Sequence, residues 1–364
     1  MRRRCRAAFC LVVTAVTLAT APGRASPEPA PKPFASRPLT FAALDGWAED
    51  DHAAALAAFR RTCRAGGRSA ELRPACHAGR QRGLHAPSPR RFFESWFEPA
   101  EIVPDSGAGF LTGYFEPEWS GSRVATAAHP TPLLTPPPAD FPRPLPDRAA
   151  IEAGALAGVS RPVVFLDPLD AFVTHVQGSA RIRLEDGGTM RVAFAGRNGL
   201  PYTSIGRALS EREGIPPAAM GLEGLTAWLR AHPDEAAGIM ALNRSFIFFR
   251  RADALGPASG PVGAAGVPLT AGRSLAVDRT VWAYGLPVWL EAELPGPDGS
   301  RARLRRLVVA QDTGAAIVGA ARGDLFVGSG PEAGRVAGPM RERARFVVLR
   351  PRPAPYRAPE IRLP

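Results

Sequence analysis

The chain has 364 residues, 45 Lys and Arg against 34 Asp and Glu, and a formal net charge of +11 at pH 7. That length supports two ordinary domains with sizeable cores, and no apolar run reaches the roughly 18 residues of a membrane-spanning helix. Positive charge is a weak guide to partners here, because Lys32 is the only lysine and heavy Arg and Ala usage also follows from base composition.

Residues 1–25 read as a signal peptide. Arg2, Arg3, Arg4 and Arg6 form the basic start, Ala7 to Ala21 the apolar core, and Gly23-Arg24-Ala25 a small-residue exit with cleavage expected after Ala25. Removing this segment takes away five arginines and no acid, which lowers the charge from +11 to +6. The expectation is an exported, soluble, periplasmic protein, better suited to an anionic cell-surface polymer than to nucleic acid. Cys5 and Cys10 leave with the leader. Cys63 and Cys76 remain as an even pair in an oxidising compartment, and a disulfide between them is expected. His77 and His85 lie close by, but their spacing matches no familiar ligand pattern, so neither a metal nor another cofactor is expected.

Residues 26–38 are proline-rich and read as a tether. Apolar residues at helical spacing predict a helix within Phe41 to Phe59 and another over Pro89 to Phe97, where Phe92, Phe93, Trp96 and Phe97 make an aromatic face that packs on a sheet. Gly109 to Pro117 alternates as a strand does, with Leu111, Gly113 and Phe115 on one face and Thr112, Tyr114 and Glu116 on the other. A ladder of hydroxyl, phenol and carboxylate suits a sugar, which offers hydroxyls to bond and an apolar ring face to stack. The bland alternative is an ordinary exposed strand face.

Residues 129–147 carry too many prolines for a sheet interior and read as a crossing between domains. A short helix from Arg148 to Leu156, a strand from Pro162 to Leu166, and a hairpin joining Arg181–Leu184 to Met190–Phe194 follow. Helices are predicted from Tyr202 to Leu209, over 217–231 and from Asp234 to Asn243, then a strand over Phe246 to Phe249. Beyond these, Pro261 to Leu269, Ser274 to Arg279 and Gly285 to Leu290 read as short strands of a small closed barrel. Leu307 to Gly330 and Arg345 to Leu349 complete it. From Pro351 the tail is again proline-rich.

Within Leu307 to Gly330, Asp312 and Asp324 are the two carboxylates of a largely apolar run, each expected at the end of a strand where a rigid scaffold aims a side chain into a groove. Asp before Gly is also ordinary turn chemistry. Three uses are open. One carboxylic acid acts on a glycosidic bond; Asp312-Thr313-Gly314 pairs with Asp105-Ser106-Gly107 as an aspartic-protease dyad; or the barrel only binds a cell-wall polymer. Pro104 before Asp105 and the absence of two similar halves count against the dyad.

The chain resembles the membrane-bound lytic transglycosylase A family of murein-cleaving enzymes, with a C-terminal 3D domain, from about Gly109 to about Leu349. The resemblance is carried in order by Leu111-Thr112-Gly113-Tyr114-Phe115-Glu116-Pro117, Val176-Gln177-Gly178-Ser179, Gly196-Arg197-Asn198-Gly199, Pro201 to Gly206, and Asn243 with Phe246 to Phe249. It continues through Val267-Pro268-Leu269, Ser274 to Arg279, Gln311 to Ile317, and Gly323-Asp324-Leu325-Phe326 with Gly328. It implies a mainly β fold with helices (α+β): a double-psi β-barrel (39–135 and 250–350) with an inserted β-rich domain (136–249), a groove between them, and a tail (351–364). It also implies non-hydrolytic cleavage of the β-1,4 bond between N-acetylmuramic acid and N-acetylglucosamine, leaving a 1,6-anhydromuramyl end. By motif position Asp324 is the acid-base residue, with Asp312 lining the same site. The substrate-binding candidates are Thr112, Tyr114, Glu116, Gln177, Ser179, Asn198 and Tyr202. The partners implied are peptidoglycan glycan strands, alongside other murein synthases or hydrolases. Two departures stand out: Cys10 lies inside the apolar core rather than just after it, as a lipid-anchor site would, and Ala315 replaces a glycine common in the family turn.

Overall fold

The computed structural model describes residues 34–65, 69–81, 88–105, 107–216, 219–253, 255–256, 259–295 and 301–353. The expected signal peptide, most of the tether and tail, and His85 lie outside them. Strand β1 (Phe34–Pro38) is followed by α1 (His52–Arg64), α2 (Arg73–Gly79) and α3 (Pro89–Trp96), and then by β2 (Phe97–Pro104), against which β1 lies antiparallel. The end of the expected tether is therefore an edge strand. Local chemistry sets the helix starts. Asp51 accepts from the Ala54 amide ahead of α1, and Ser88 accepts from Arg91 ahead of α3, whose first residue is Pro89. The aromatic face of α3 is core: Phe92, Phe93, Phe59 and Phe97 are fully buried, with ring centroids 5.2 Å apart for Phe92–Phe93 and 5.8 Å for Phe59–Phe97.

After β3 (Gly109–Glu116) the chain leaves this body. It builds β4 (Glu118–Gly121), β5 (Thr131–Leu134), α4 (Arg148–Glu152), β6 (Pro162–Leu166), α5 (Pro168–Gln177), β7 (Ser179–Leu184), β8 (Thr189–Arg197), α6 (Ile205–Glu213), α7 (Leu222–Ala231), α8 (Pro233–Ala241) and β9 (Ile247–Arg251). These form a four-stranded sheet, β4-β7-β8-β9, and a two-stranded one, β5-β6. The departure comes earlier than the proline run indicates, since β4 already pairs with β7 at Glu118–Arg181. Arg148 organises one flank of this part. Fully buried, it donates to the carbonyls of Asn243 (2.9 Å) and Ser245 (2.8 Å) and lies over the Phe172 and Phe246 rings.

The chain returns with β10 (Ser274–Val277), β11 (Pro287–Pro295), β12 (Arg301–Asp312), β13 (Arg322–Ser329), α9 (Gly330–Ala337) and β14 (Arg341–Pro351). The strand order β14-β11-β12-β10-β13-β3 closes on itself through a β14–β3 pairing, making a six-stranded barrel. Two of its contacts, β10–β12 and β13–β3, are parallel within an otherwise antiparallel ring. β2 and β1 extend it from the edge of β14. Aliphatic side chains such as Leu111, Leu275, Leu307 and Val309, together with Trp289, fill the core, each contributing roughly 1.5–3 kcal/mol for a fully buried large side chain. The stretch Pro261 to Leu269, expected as a strand, is a turn held by one bridge between Val262 and Pro268. Its two prolines and two internal glycines deprive it of a continuous ladder. No helix among the described residues is long and apolar enough to cross a membrane.

Cys63 on α1 and Cys76 on α2 are joined in a disulfide, with Cα atoms 5.3 Å apart, and Arg80 donates to the Cys63 carbonyl across the same junction. Closing a loop of this size stabilises by about 3 kcal/mol. Reduction, or replacement of both cysteines by serine, is expected to lower the unfolding free energy by about that amount. Denaturant titration with and without reductant measures it, and coincident curves would show the bridge to be energetically idle.

Candidate active site

Register brings the carboxylates together. Ala276, on the central strand β10, pairs with Asp312 of β12 on one side and with Asp324 of β13 on the other, and Asp324 pairs in turn with Thr112 of β3. Thr112, Asp324, Ala276 and Asp312 thus form a row across four strands, which separates the two Asp backbones by about 10 Å, two strand spacings. Asp312 ends its strand as expected. Asp324 is the third residue of β13 rather than a turn residue, because β13 begins at Arg322 and is paired on both sides.

The two carboxylates differ in how their oxygens are used. Asp312 Oδ1 accepts from the amides of Ala264 and Thr313, each at 2.9 Å, and its Oδ2 accepts from the Tyr114 hydroxyl at 2.7 Å. Asp324 Oδ1 accepts from Thr112 Oγ1 at 2.5 Å, whereas Oδ2 receives no hydrogen bond from the described residues. Burial pushes both carboxyls above the usual range. For Asp324 the Arg322 charge and the Thr112 bond oppose that rise while Asp312 adds to it. Tyr114 is held well above its ordinary value by burial and then by Asp312, and Tyr202 is raised by burial, with the charges of Arg341, Arg148 and Asp324 acting on it.

Tyr114 and Tyr202 therefore stand with Thr112 around the aspartates, while other expected substrate contacts are engaged elsewhere. Glu116 is fully buried: Arg181 (2.9 Å), Arg191 (2.9 Å) and the Ser329 hydroxyl (2.8 Å) surround it. It occupies the face the alternation assigns it, but at that point the chain passes from the barrel to the second sheet, and the face is covered by β7 and β8. Asn198 is a turn keeper. Its side-chain amide donates to the carbonyls of Pro146 and Arg244, and its carbonyl accepts from Leu200 and Phe246. Gln177 is half-buried and accepts from the Phe115 amide at 3.1 Å, tying α5 to β3. Ser179 is buried at the start of β7.

Several residues of the site are not singled out by sequence reasoning. Arg322 donates to Thr112 Oγ1 at 2.8 Å, Arg341 pairs across from Thr112, and Tyr284 is near enough for Asp312 to act on it. Asp278 accepts from the Gly319 amide at 2.7 Å and from Thr280, fastening the loop between the two aspartates. The available signal was Arg322 two residues before Asp324, which places both on one face of a strand. The dyad of Asp312 with Asp105 is not formed: Asp105 is exposed beyond β2, and the Asp312 oxygens accept from Tyr114, Ala264 and Thr313. Among the described residues no cluster of His, Cys, Asp or Glu is arranged to hold a metal ion.

The site is thus a closed barrel that sets two aspartates among hydroxyl and guanidinium groups, with the half-buried Asp324 the less hydrogen-bonded of the two. Residues 110–250 match the family model of the MltA specific insert domain, and 273–350 match that of the 3D domain. The chain is 34% identical over 260 residues to the membrane-bound lytic murein transglycosylase A of Vibrio cholerae, covering 70% of this chain and 68% of that one. The crystal structure of a membrane-bound lytic murein transglycosylase from Agrobacterium tumefaciens superposes with a TM-score of 0.77 at 34% identity, over 87% of this chain and 98% of that one. Escherichia coli MltA with bound chitohexaose superposes with a TM-score of 0.68 at 25% identity, over 83% and 90%. The chain belongs to the membrane-bound lytic murein transglycosylase A family.

Two outcomes follow from the electrostatics. A carboxyl whose pKa is raised by folding weakens the fold wherever it is ionised. Asp324→Asn is therefore expected to melt higher than the native protein at pH 7. The gap should begin to close as pH falls through the raised native value and be gone below about 4, the ordinary Asp value. Melting curves across that range decide it, and a native protein as stable as the variant at pH 7 contradicts it. Glu116→Gln strips the compensating charge from buried Arg191 and is expected to lower stability by about 3–5 kcal/mol, read from the denaturant midpoint.

Proposed function

We propose that this protein is a periplasmic lytic transglycosylase that cleaves the β-1,4 bond between N-acetylmuramic acid and N-acetylglucosamine in peptidoglycan without water, with Asp324 as its acid and base. The observation that carries the reading is the unequal use of the two carboxylates. Asp312 spends both oxygens on three donors, whereas Asp324 Oδ2 is the one carboxyl oxygen of the pair that receives no bond from the described residues. Burial favours the protonated form of Asp324, the state a general acid needs.

Proton transfer from Oδ2 to the glycosidic oxygen breaks the C1–O4 bond as an oxocarbenium-like state develops. The resulting carboxylate takes the proton of the same sugar's C6 hydroxyl while O6 closes on C1, giving the 1,6-anhydro ring and returning Asp324 to its starting state. An internal nucleophile needs no second carboxylate to hold a water, and Asp312 is already engaged by three donors. Its role is to orient Tyr114 and the Ala264 loop at the wall of the groove. The family membership and the chitohexaose held by the E. coli relative support a glycan chain as the ligand.

Digestion of purified murein followed by mass spectrometry tests the assignment. Anhydromuropeptides are expected from the native protein and should fall at least about a hundredfold in Asp324→Asn. Reducing-end products would indicate a hydrolase, and native protein that binds murein without cleaving it would indicate a binding barrel. An inactive Asp312→Asn beside an active Asp324→Asn would reverse the two roles.

A further inference from the structure

Thr112 stands between two partners with opposite demands. Arg322 Nη2 approaches its Oγ1 at 2.8 Å, and Oγ1 lies 2.5 Å from Asp324 Oδ1. A guanidinium only donates, so Thr112 accepts from Arg322, and the arrangement that satisfies every group directs the hydroxyl proton to Oδ1. Were Asp324 protonated on Oδ1 instead, Thr112 would receive two donors and its own hydrogen would face no acceptor, an arrangement that leaves a polar group unpaired. Arg322 is itself restrained. It donates to the Gly323 carbonyl, lies 5.1 Å over the Phe110 ring, and makes no ion pair among the described residues.

We propose that Arg322 is a positioning residue: acting through Thr112, it keeps Asp324 Oδ1 as an acceptor and so places the transferable proton on Oδ2. The proposal rests on Asp324 being the acid. The charged and titratable groups around that carboxyl are Arg322 on its own strand, Asp312 at the end of β12, Tyr114 on β3, Tyr202 ahead of α6, and Arg341 at the start of β14. Of these, Arg322 favours the ionised carboxylate, with the Thr112 bond assisting it, whereas burial and Asp312 oppose ionisation. Removing either Arg322 or Thr112 therefore makes the acid weaker as well as misplacing its proton.

The test is the pH dependence of kcat/KM and of kcat on isolated murein glycan strands, for the native protein and for Arg322→Gln, Arg322→Lys, Thr112→Val and the Arg322→Gln/Thr112→Val pair. In Arg322→Gln and in Thr112→Val the alkaline limb is expected to move up by about one pH unit, with kcat down about tenfold and KM little changed. Arg322→Lys keeps a charge and a donor and is expected to restore most of the native limb. The double variant is expected to lose no more kcat than the worse single one, because Arg322 acts through Thr112. A native limb in Arg322→Gln, a loss confined to KM, or losses that multiply in the double variant would each overturn the proposal. Thermal unfolding of each variant identifies any that fails to fold, in which case Arg322→Lys and Thr112→Val decide. Activity retained in Asp324→Asn overturns the underlying reading, whereas an inactive Asp324→Asn with an unmoved limb in Arg322→Gln overturns this inference alone.

Discussion

Everything at the groove depends on the register of β13 between β3 and β10. A slip of one residue would turn Asp324 into the core and present its neighbours instead, because side chains alternate with a period of two. The strand is locked against that slip by what lies beneath it. A Cβ at Gly323 would come within 2.8 Å of the Phe346 ring and 3.0 Å of Leu275, so any side chain there would force those core groups to shift. Leu325 on the other side of Asp324 is buried in the same cluster. With Gly323 and Leu325 inward, Asp324 has no direction left but the groove, and the β13–β3 pairing sets Thr112 beside it.

That geometry explains how two similar residues come to do different work. Both carboxylates are raised by burial, yet the backbone decides which one has an oxygen to spare. Asp312 ends β12 where the chain turns, so the amides of Thr313 and of the neighbouring Ala264 loop point at it. Asp324 lies within a strand whose amides are already committed to the ladders on either side, and so receives only a side-chain donor. A strand interior thus keeps a carboxyl underbonded in a way a turn does not, and fewer donors to the charged form leave burial freer to raise its pKa.

The parts legible in the sequence were those governed by short periodicity. Alternation in β3 placed Leu111 and Phe115 inward and Thr112 and Tyr114 toward the groove, and the hairpin of β7 and β8 followed from its Glu185-Asp186-Gly187-Gly188 turn. The same alternation misplaced the use of Glu116, because period alone does not say where a strand passes from one sheet to another. Asn198 misled for a different reason: a side chain with two donors and an acceptor suits a ligand and a turn equally, and here four backbone groups claim it. Strand β1 and helix α9 were hidden by proline and glycine, and Arg148 by the rule that arginines are exposed.

Glu116 shows why such a charge is kept inside. Its carboxylate gathers two arginines from the second sheet and a hydroxyl from the end of β13, while Arg181 and Arg191 also donate to the Ser259 carbonyl on the chain's way back to the barrel. An apolar cluster of the same volume would bury as well, and buried ion pairs are often no more stabilising than such a replacement. Apolar contacts, however, tolerate sliding, whereas a carboxylate held by two guanidinium groups has few acceptable geometries. The knot joins β3, β7, β8 and β13 at one point, two residues along β3 from Tyr114 and four from Thr112. Its specificity therefore fixes the second sheet against the very strands that carry Thr112 and Asp324.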